Sequence, residues 1–181
     1  ALDPFDPFDT SMEAETPSEM SAEELIAESI KLLSDQRPLD ARTMLLKALR
    51  KDPNSVKAHL LLGNYYLDYV GHFRLAKRYI EKAFSLFKEQ NGPPPYLDRQ
   101  AEFIHMQLFN YLSQAKLNLD DYEGSIQVLD DFVAQGYMAN WYPASRAWVL
   151  FKMGKIKEAI QVARVGVMSG ADPRRTLNML G

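Results

Sequence analysis

A short pattern of small and large side chains recurs four times and restricts this chain more than any other feature. It reads Ala41-x3-Leu45-x2-Ala48, Ala76-x3-Ile80-x2-Ala83, Ser125-x3-Leu129-x2-Phe132 and Ala159-x3-Ala163-x2-Gly166. Residues four and seven places after the first lie on the same helix face. The small first residue lets a second helix approach closely, and the larger residue four places on fills the space beside it. The steps between first residues are 35, 49 and 34. A near-constant step of this length marks stacked supersecondary units, none of which can bury its apolar face alone. The step of 49 is one such unit plus 15 further residues.

The punctuation between the patterns is that of helical hairpins. Ser21 with Glu24 forms a capping box, and Leu25, Ile26, Ser29, Leu32 and Leu33 follow as a stripe at helical spacing. Asp35-Gln36-Arg37-Pro38 stops that helix, and Pro38 opens the next. Asp52-Pro53-Asn54, Gly71, Asn91-Gly92-Pro93-Pro94-Pro95, Asp120-Asp121, Gly136, Gly154 and Gly170 with Pro173 mark the later breaks. No window alternates apolar and polar residues long enough for a strand. The expected class is all-α, an α-α superhelical solenoid over residues 21–181 preceded by an extended arm over residues 1–20.

That arm carries Pro4, Pro7 and Pro17 and lacks any regular period. Residues 1–28 hold nine acidic side chains and no Lys or Arg, whereas the remainder holds 21 basic and 15 acidic residues. An acidic arm on a mildly basic body can dock in cis or in trans. The chain has no cysteine, which excludes disulfides, thiolate metal sites and cysteine nucleophiles. No apolar run approaches the ~20 residues of a membrane span. The chain opens on Ala1, so it reads as a processed or partial product. The cytoplasm is the expected compartment, with the periplasm, after removal of a signal peptide, as the alternative.

With these motifs in hand, the chain resembles the tetratricopeptide repeat family over roughly residues 22–173. The second repeat carries Leu62-Gly63-x2-Tyr66, with His59 where the family usually has Trp, and the first repeat ends on the family's proline, Pro53. The third and fourth repeats match through Asp121-Tyr122-Glu123 and Gly154-Lys155-Ile156-Lys157-Glu158-Ala159-Ile160. The repeats are placed at about 22–55, 56–90, 96–139 and 140–173, and Arg174 to Gly181 reads as the start of a capping helix. Two departures stand out. The second repeat has one extra residue, expected in the turn around Val70-Gly71-His72. The third has a lengthened first helix, expected over Tyr96 to Leu119. At ~1.5 Å per residue such a helix is about 35 Å long, and it either projects as a docking or dimer surface or covers more core.

The resemblance implies that the first helix of each repeat lines a concave groove. Carried onto this sequence, the groove positions are Ile26, Ile30 and Leu33, then Lys57, Leu60, Asn64 and Asp68, then Asn110, Gln114 and Asn118, and last Trp141, Ala144, Trp148 and Lys152. Family members that bind acidic carboxyl-terminal tails use Lys or Arg with Asn. Here only Asn64 is of that type in a suitable place, so such a clamp is not expected. The groove is half apolar and half amide with an aromatic end, suited to an extended backbone and a buried side chain.

The tandem Asp3-Pro4-Phe5-Asp6-Pro7-Phe8 resembles short motifs recognised by endocytic adaptor appendages, but nothing else in the chain points that way. The reading adopted is that Phe5 and Phe8 anchor the arm on a solenoid, its own or a neighbour's. For catalysis the sequence offers little. Glu102-x-x-His105 has the one-turn spacing of a di-iron ligand pair, but the second pair and the further carboxylates are missing, and a salt-bridged surface pair is expected instead. There is no nucleophile elbow, phosphate loop or zinc spacing. Arg74, Lys77, Arg78, Lys82 and Lys88 are interrupted by Glu81 and Glu89, which reads as a solvated face and not a nucleic-acid surface. The sequence therefore predicts a non-enzymatic adaptor or scaffold, without metal or cofactor, that holds a protein or peptide. The alternatives are a homodimerising assembly subunit, working through its arm and long helix, and the amino-terminal module of a larger protein.

Overall fold

The structure, a computed structural model, describes residues 20–168. The arm with Phe5 and Phe8, and the segment from Arg174 to Gly181, lie outside the described residues. Eight helices follow one another: α1 (Ala22–Ser34), α2 (Pro38–Lys51), α3 (Val56–Asn64), α4 (Phe73–Asn91), α5 (Arg99–Asn118), α6 (Tyr122–Ala134), α7 (Tyr142–Lys152) and α8 (Ile156–Met168). Among the described residues there is no strand. The helices pair as α1 with α2, α3 with α4, α5 with α6 and α7 with α8. Each hairpin then packs on the next, so the chain is an all-α solenoid. Helix α5 also touches α3 on one side and α7 on the other, so these three form one layer.

Local chemistry sets the helix starts. Ser21 Oγ accepts from Glu24 N–H at 3.2 Å while Glu24 Oε2 accepts from Ser21 N–H at 2.7 Å, the reciprocal box expected from sequence. Those two bonds hold the Glu24 carboxyl below its ordinary range. Ser55, Asp98 and Asp121 cap α3, α5 and α6 through their side chains.

The recurrent small-large-small residues form the seams between helices. Ala41, Leu45, Ala48, Ala76, Ile80, Ala83, Leu129, Phe132 and Ala159 are fully buried. Ser125 is buried as well, and its hydroxyl donates to the Ser113 carbonyl of α5 at 2.8 Å, so the polar group keeps a partner. Gly63 is the tightest contact of the second hairpin. A Cβ built there would stand 2.5 Å from Ile80 Cγ1, so only glycine lets α3 and α4 approach this closely.

Two expectations need correction. The extra residue of the second repeat does not sit in the turn. It is absorbed where α3 widens into a π-helical turn over Tyr65–Val70, which Gly71 closes in the left-handed conformation at φ +72°. A π turn takes in one more residue without breaking the backbone hydrogen bonding. Stacked rings brace it: Tyr66 on Tyr79 at 5.6 Å and Tyr65 on Tyr69 at 6.1 Å. The long third-repeat helix is shorter than expected, 20 residues and ~30 Å. Its first half does not stand clear of its neighbours, because α4 is also long, at 19 residues, and extends beneath it. Ala101 and Leu108 of α5 pack there with Ala83, Leu86 and Phe87 of α4.

Candidate functional site

The layer of α3, α5 and α7 frames a cleft of about 740 Å³. One wall is Asp68, from the π turn that extends α3. The floor is α5, with Asn110, Tyr111, Ser113, Gln114, Leu117 and Asn118. The far wall is α7 and its approach, with Trp141, Ala144, Ser145, Trp148 and Val149.

The floor is a hydrogen-bonded amide row. Asn110, Gln114 and Asn118 recur at four-residue spacing and so share one face of α5. Gln114 Nε2 donates to Asn110 Oδ1 at 2.8 Å, and Asn118 Nδ2 donates to the Gln114 carbonyl at 2.8 Å. These bonds fix the amide orientations and leave further donors and acceptors facing the cleft. At one end, Asn64 Nδ2 donates to Asp68 Oδ2 at 2.5 Å. Partial removal from water raises the Asp68 carboxyl above its ordinary range, and the Asn64 bond opposes this. Burial, and then the nearby Asp68 and Tyr69, push the Tyr111 hydroxyl up. At the other end, Trp141 packs on Phe132 at 4.8 Å, and Trp148 stacks on Phe151 at 5.4 Å. Lys152 Nζ stands 5.0 Å over the Trp148 ring, a cation–π contact that steadies it.

Of the positions expected to line a groove, Asn110, Gln114, Asn118, Trp141, Trp148, Asp68 and Ala144 line this cleft, while Asn64 and Lys152 adjoin it through their contacts with Asp68 and Trp148. Leu60 does not belong to it. It is 7% exposed and packs with Ala101 and Leu108, because the longer α5 lies over it. The first repeat contributes no lining residue, since Ile26 is core and Ile30 faces solvent, and Lys57 of the second repeat pairs with Glu23 at 3.5 Å. Tyr111 and the serines Ser113 and Ser145 were missed. Each neighbours a position that the repeat alignment does mark, and the cleft is wider than one residue per turn.

Glu102 and His105 are not a surface ion pair. His105 is 6% exposed inside a box of Phe84, Phe87, Tyr96, Phe109 and Tyr137, stacked on Phe87 at 5.1 Å. Its Nδ1 shares a 2.8 Å hydrogen bond with the Tyr137 hydroxyl. Burial lowers the imidazole to about 4 and raises the Tyr137 hydroxyl to about 12, so both stay neutral. His59 is also a core residue, donating from Nδ1 to the Ser55 carbonyl at 2.8 Å.

No family model matches the sequence, and no curated protein does. Solved structures do match in fold. One, reported under functional characterization of Pseudomonas aeruginosa PilF, superposes with a TM-score of 0.68 at 14% identity over 88% of this chain. Two structures of MamA, from MSR-1 and AMB-1, give TM-scores of 0.61 and 0.63 at 14% and 18% identity. They are matched over 91% and 90% of this chain and 80% and 81% of their own. These neighbours are tetratricopeptide-type proteins. The fold is tetratricopeptide-like. The chain spans 65% of the PilF chain's length. Among the described residues no helix is long and apolar enough to cross a membrane.

Proposed function

We propose that this chain is an interaction adaptor that holds an extended segment of a partner protein in the cleft between α3, α5 and α7, and that it acts without chemistry of its own. The observation that carries this reading is the oriented amide row of Asn110, Gln114 and Asn118 running toward half-buried Trp141 and Trp148. Fixed amides can bond a peptide backbone whatever its sequence, and a preordered tryptophan gains contact area at little entropic cost. The tetratricopeptide-like fold supports a protein partner. Trp141 and Trp148 are the chain's two tryptophans, so their emission reports on the cleft directly. Binding of a partner segment should shift that emission, and Gln114→Ala or Trp148→Ala should each weaken it by about tenfold or more. A partner that binds both variants as tightly as the parent would sink the cleft assignment.

Self-association is the second reading. Its support is the wholly exposed Leu97 and the 59% exposed Phe103 at the outer start of α5. The arm anchors Phe5 and Phe8 belong to it as proposed contacts. Light scattering after gel filtration, with and without residues 1–19, decides it. A monomer in both cases ends this reading.

A further inference from the structure

Resting on the cleft as a peptide site, we propose that the bound segment carries a cationic side chain, Lys or Arg, seated against Asp68, and an apolar side chain at the Trp148 end.

The charge inventory of the cleft leads to this. Its lining is Asn, Gln, Ser, Tyr, Trp and aliphatic residues with one carboxylate, Asp68, and no cation. Among the described residues no Lys or Arg lies within ion-pair distance of Asp68, and its one hydrogen bond, from Asn64, occupies only Oδ2. Some carboxylates of the fold are paired, as Asp121 is with Lys116 at 3.0 Å and Asp40 with Arg37 at 2.8 Å; Asp68 is the one that lines the cleft. The cation at the far rim, Lys152, is held over Trp148. Asp68 is exposed on the cleft wall and gives the cleft its one negative charge, which a ligand cation complements. An acidic segment would set like charges together. That makes the chain's own residues 1–19, which hold no Lys or Arg, a poor occupant.

The framework also sets a spacing. Asp68 and Trp148 sit on α3's extension and on α7, two helix neighbours apart. At ~8–10 Å per neighbour this is about 16–20 Å along the layer, less across a concave face. An extended chain rising ~3.3 Å per residue covers that in about four to six residues. The cation and the apolar anchor of the ligand should be separated by that interval.

The test uses the full chain and a random linear peptide library. Enriched sequences are synthesised with a fluorophore and titrated by anisotropy while tryptophan emission is followed. The expected result is a Lys or Arg about four to six residues from a large apolar residue, affinity about tenfold weaker in Asp68→Asn, and selection of Asp or Glu instead by Asp68→Lys. Thermal melts keep the variants comparable. Enriched peptides that are neutral or acidic, or that bind Asp68→Asn undiminished while Trp148→Ala still weakens them, overturn the cation and leave the cleft. Tight, cleft-directed binding of a synthetic peptide of residues 1–19 overturns it too. If no peptide is enriched, or binders leave tryptophan emission unchanged and ignore both Gln114→Ala and Trp148→Ala, the cleft reading itself falls and the cation with it.

Discussion

His105 makes the stability of this fold depend on pH in a range where carboxylates alone would have less effect. In the folded chain its imidazole sits in an aromatic box and takes a proton only near pH 4. The unfolded chain exposes it to water, where it takes one near the ordinary ~6.5. Between those values the unfolded state binds more protons than the folded state, so stability falls as pH falls, and the loss levels off below the lower value. At ~1.4 kcal/mol per pH unit the full interval is worth about 3 kcal/mol. Most of that, about 2.5 kcal/mol, is already lost at about pH 4.5. His59 adds to the same slope, since its burial also lowers it. The perturbation is His105→Phe, which keeps a ring among Phe84, Phe87 and Phe109 but cannot titrate. It removes the bond to Tyr137, at a cost of about 1–2 kcal/mol that is the same at every pH. Urea unfolding of both proteins, followed by circular dichroism at about pH 7.5 and about pH 4.5, separates the terms. The parent should lose about 2.5 kcal/mol more than the variant over that interval. Equal losses would mean that His105 titrates normally and that the box is open to water.

The second seam offers a packing test. Gly63→Ala should destabilise by about 1–3 kcal/mol despite the better helix propensity of alanine, because its Cβ meets Ile80 Cγ1 at 2.5 Å. Combined with Ile80→Ala, the same change should cost almost nothing extra, and additive losses in thermal melts would refute the clash. Gly71→Ala should cost about 1–2 kcal/mol, since Gly71 holds φ +72°, with Gly71→Asn milder. If the ligand cation is real, affinity should fall as pH is lowered through the raised range of the Asp68 carboxyl, and Asp68→Asn should abolish that dependence. A titration unchanged by Asp68→Asn would place the proton elsewhere.

The seams were legible in the sequence because their requirement is local. Ala41, Ala76 and Ser125 must be small, and a residue such as Leu45, Ile80 or Leu129 must fill the gap one turn later, so helix and partner are specified together. The capping box at Ser21 and the breaks at Pro38 and Gly71 are local in the same sense. Asn110, Gln114, Asn118 and Trp148 share one cleft because α5 and α7 follow the repeat without interruption. Leu60 lies outside the cleft for a non-local reason. Whether an inner-layer residue faces solvent depends on the length of the next helix, and the insertion lengthens α5 so that Ala101 and Leu108 cover Leu60. The surface-pair expectation for His105 failed for a similar reason. Its nearest polar neighbour in sequence is Glu102, but its hydrogen-bond partner lies 32 residues on, in Tyr137.

The one residue that breaks the period carries a chemical consequence as well as a geometric one. Without the π turn, the last turn of the second repeat's first helix would keep α-helical spacing, and its side chains would be rotated relative to those seen. With it, one short segment serves two surfaces. Asp68 faces the cleft, while Tyr65, Tyr66, Tyr69 and Val70 line a separate hollow beside Arg42, whose Nε donates to the Tyr66 hydroxyl at 2.8 Å. Arg42 is thus committed on the far side, and Asp68, bonded by Asn64, has no ion pair on the near side. The stacked tyrosines hold this division in place, because Tyr66 is 1% exposed and fixed against Tyr79. The Asp68 carboxylate, exposed and bonded only by Asn64, is in no ion pair among the described residues of the free protein. A cationic ligand would give it one.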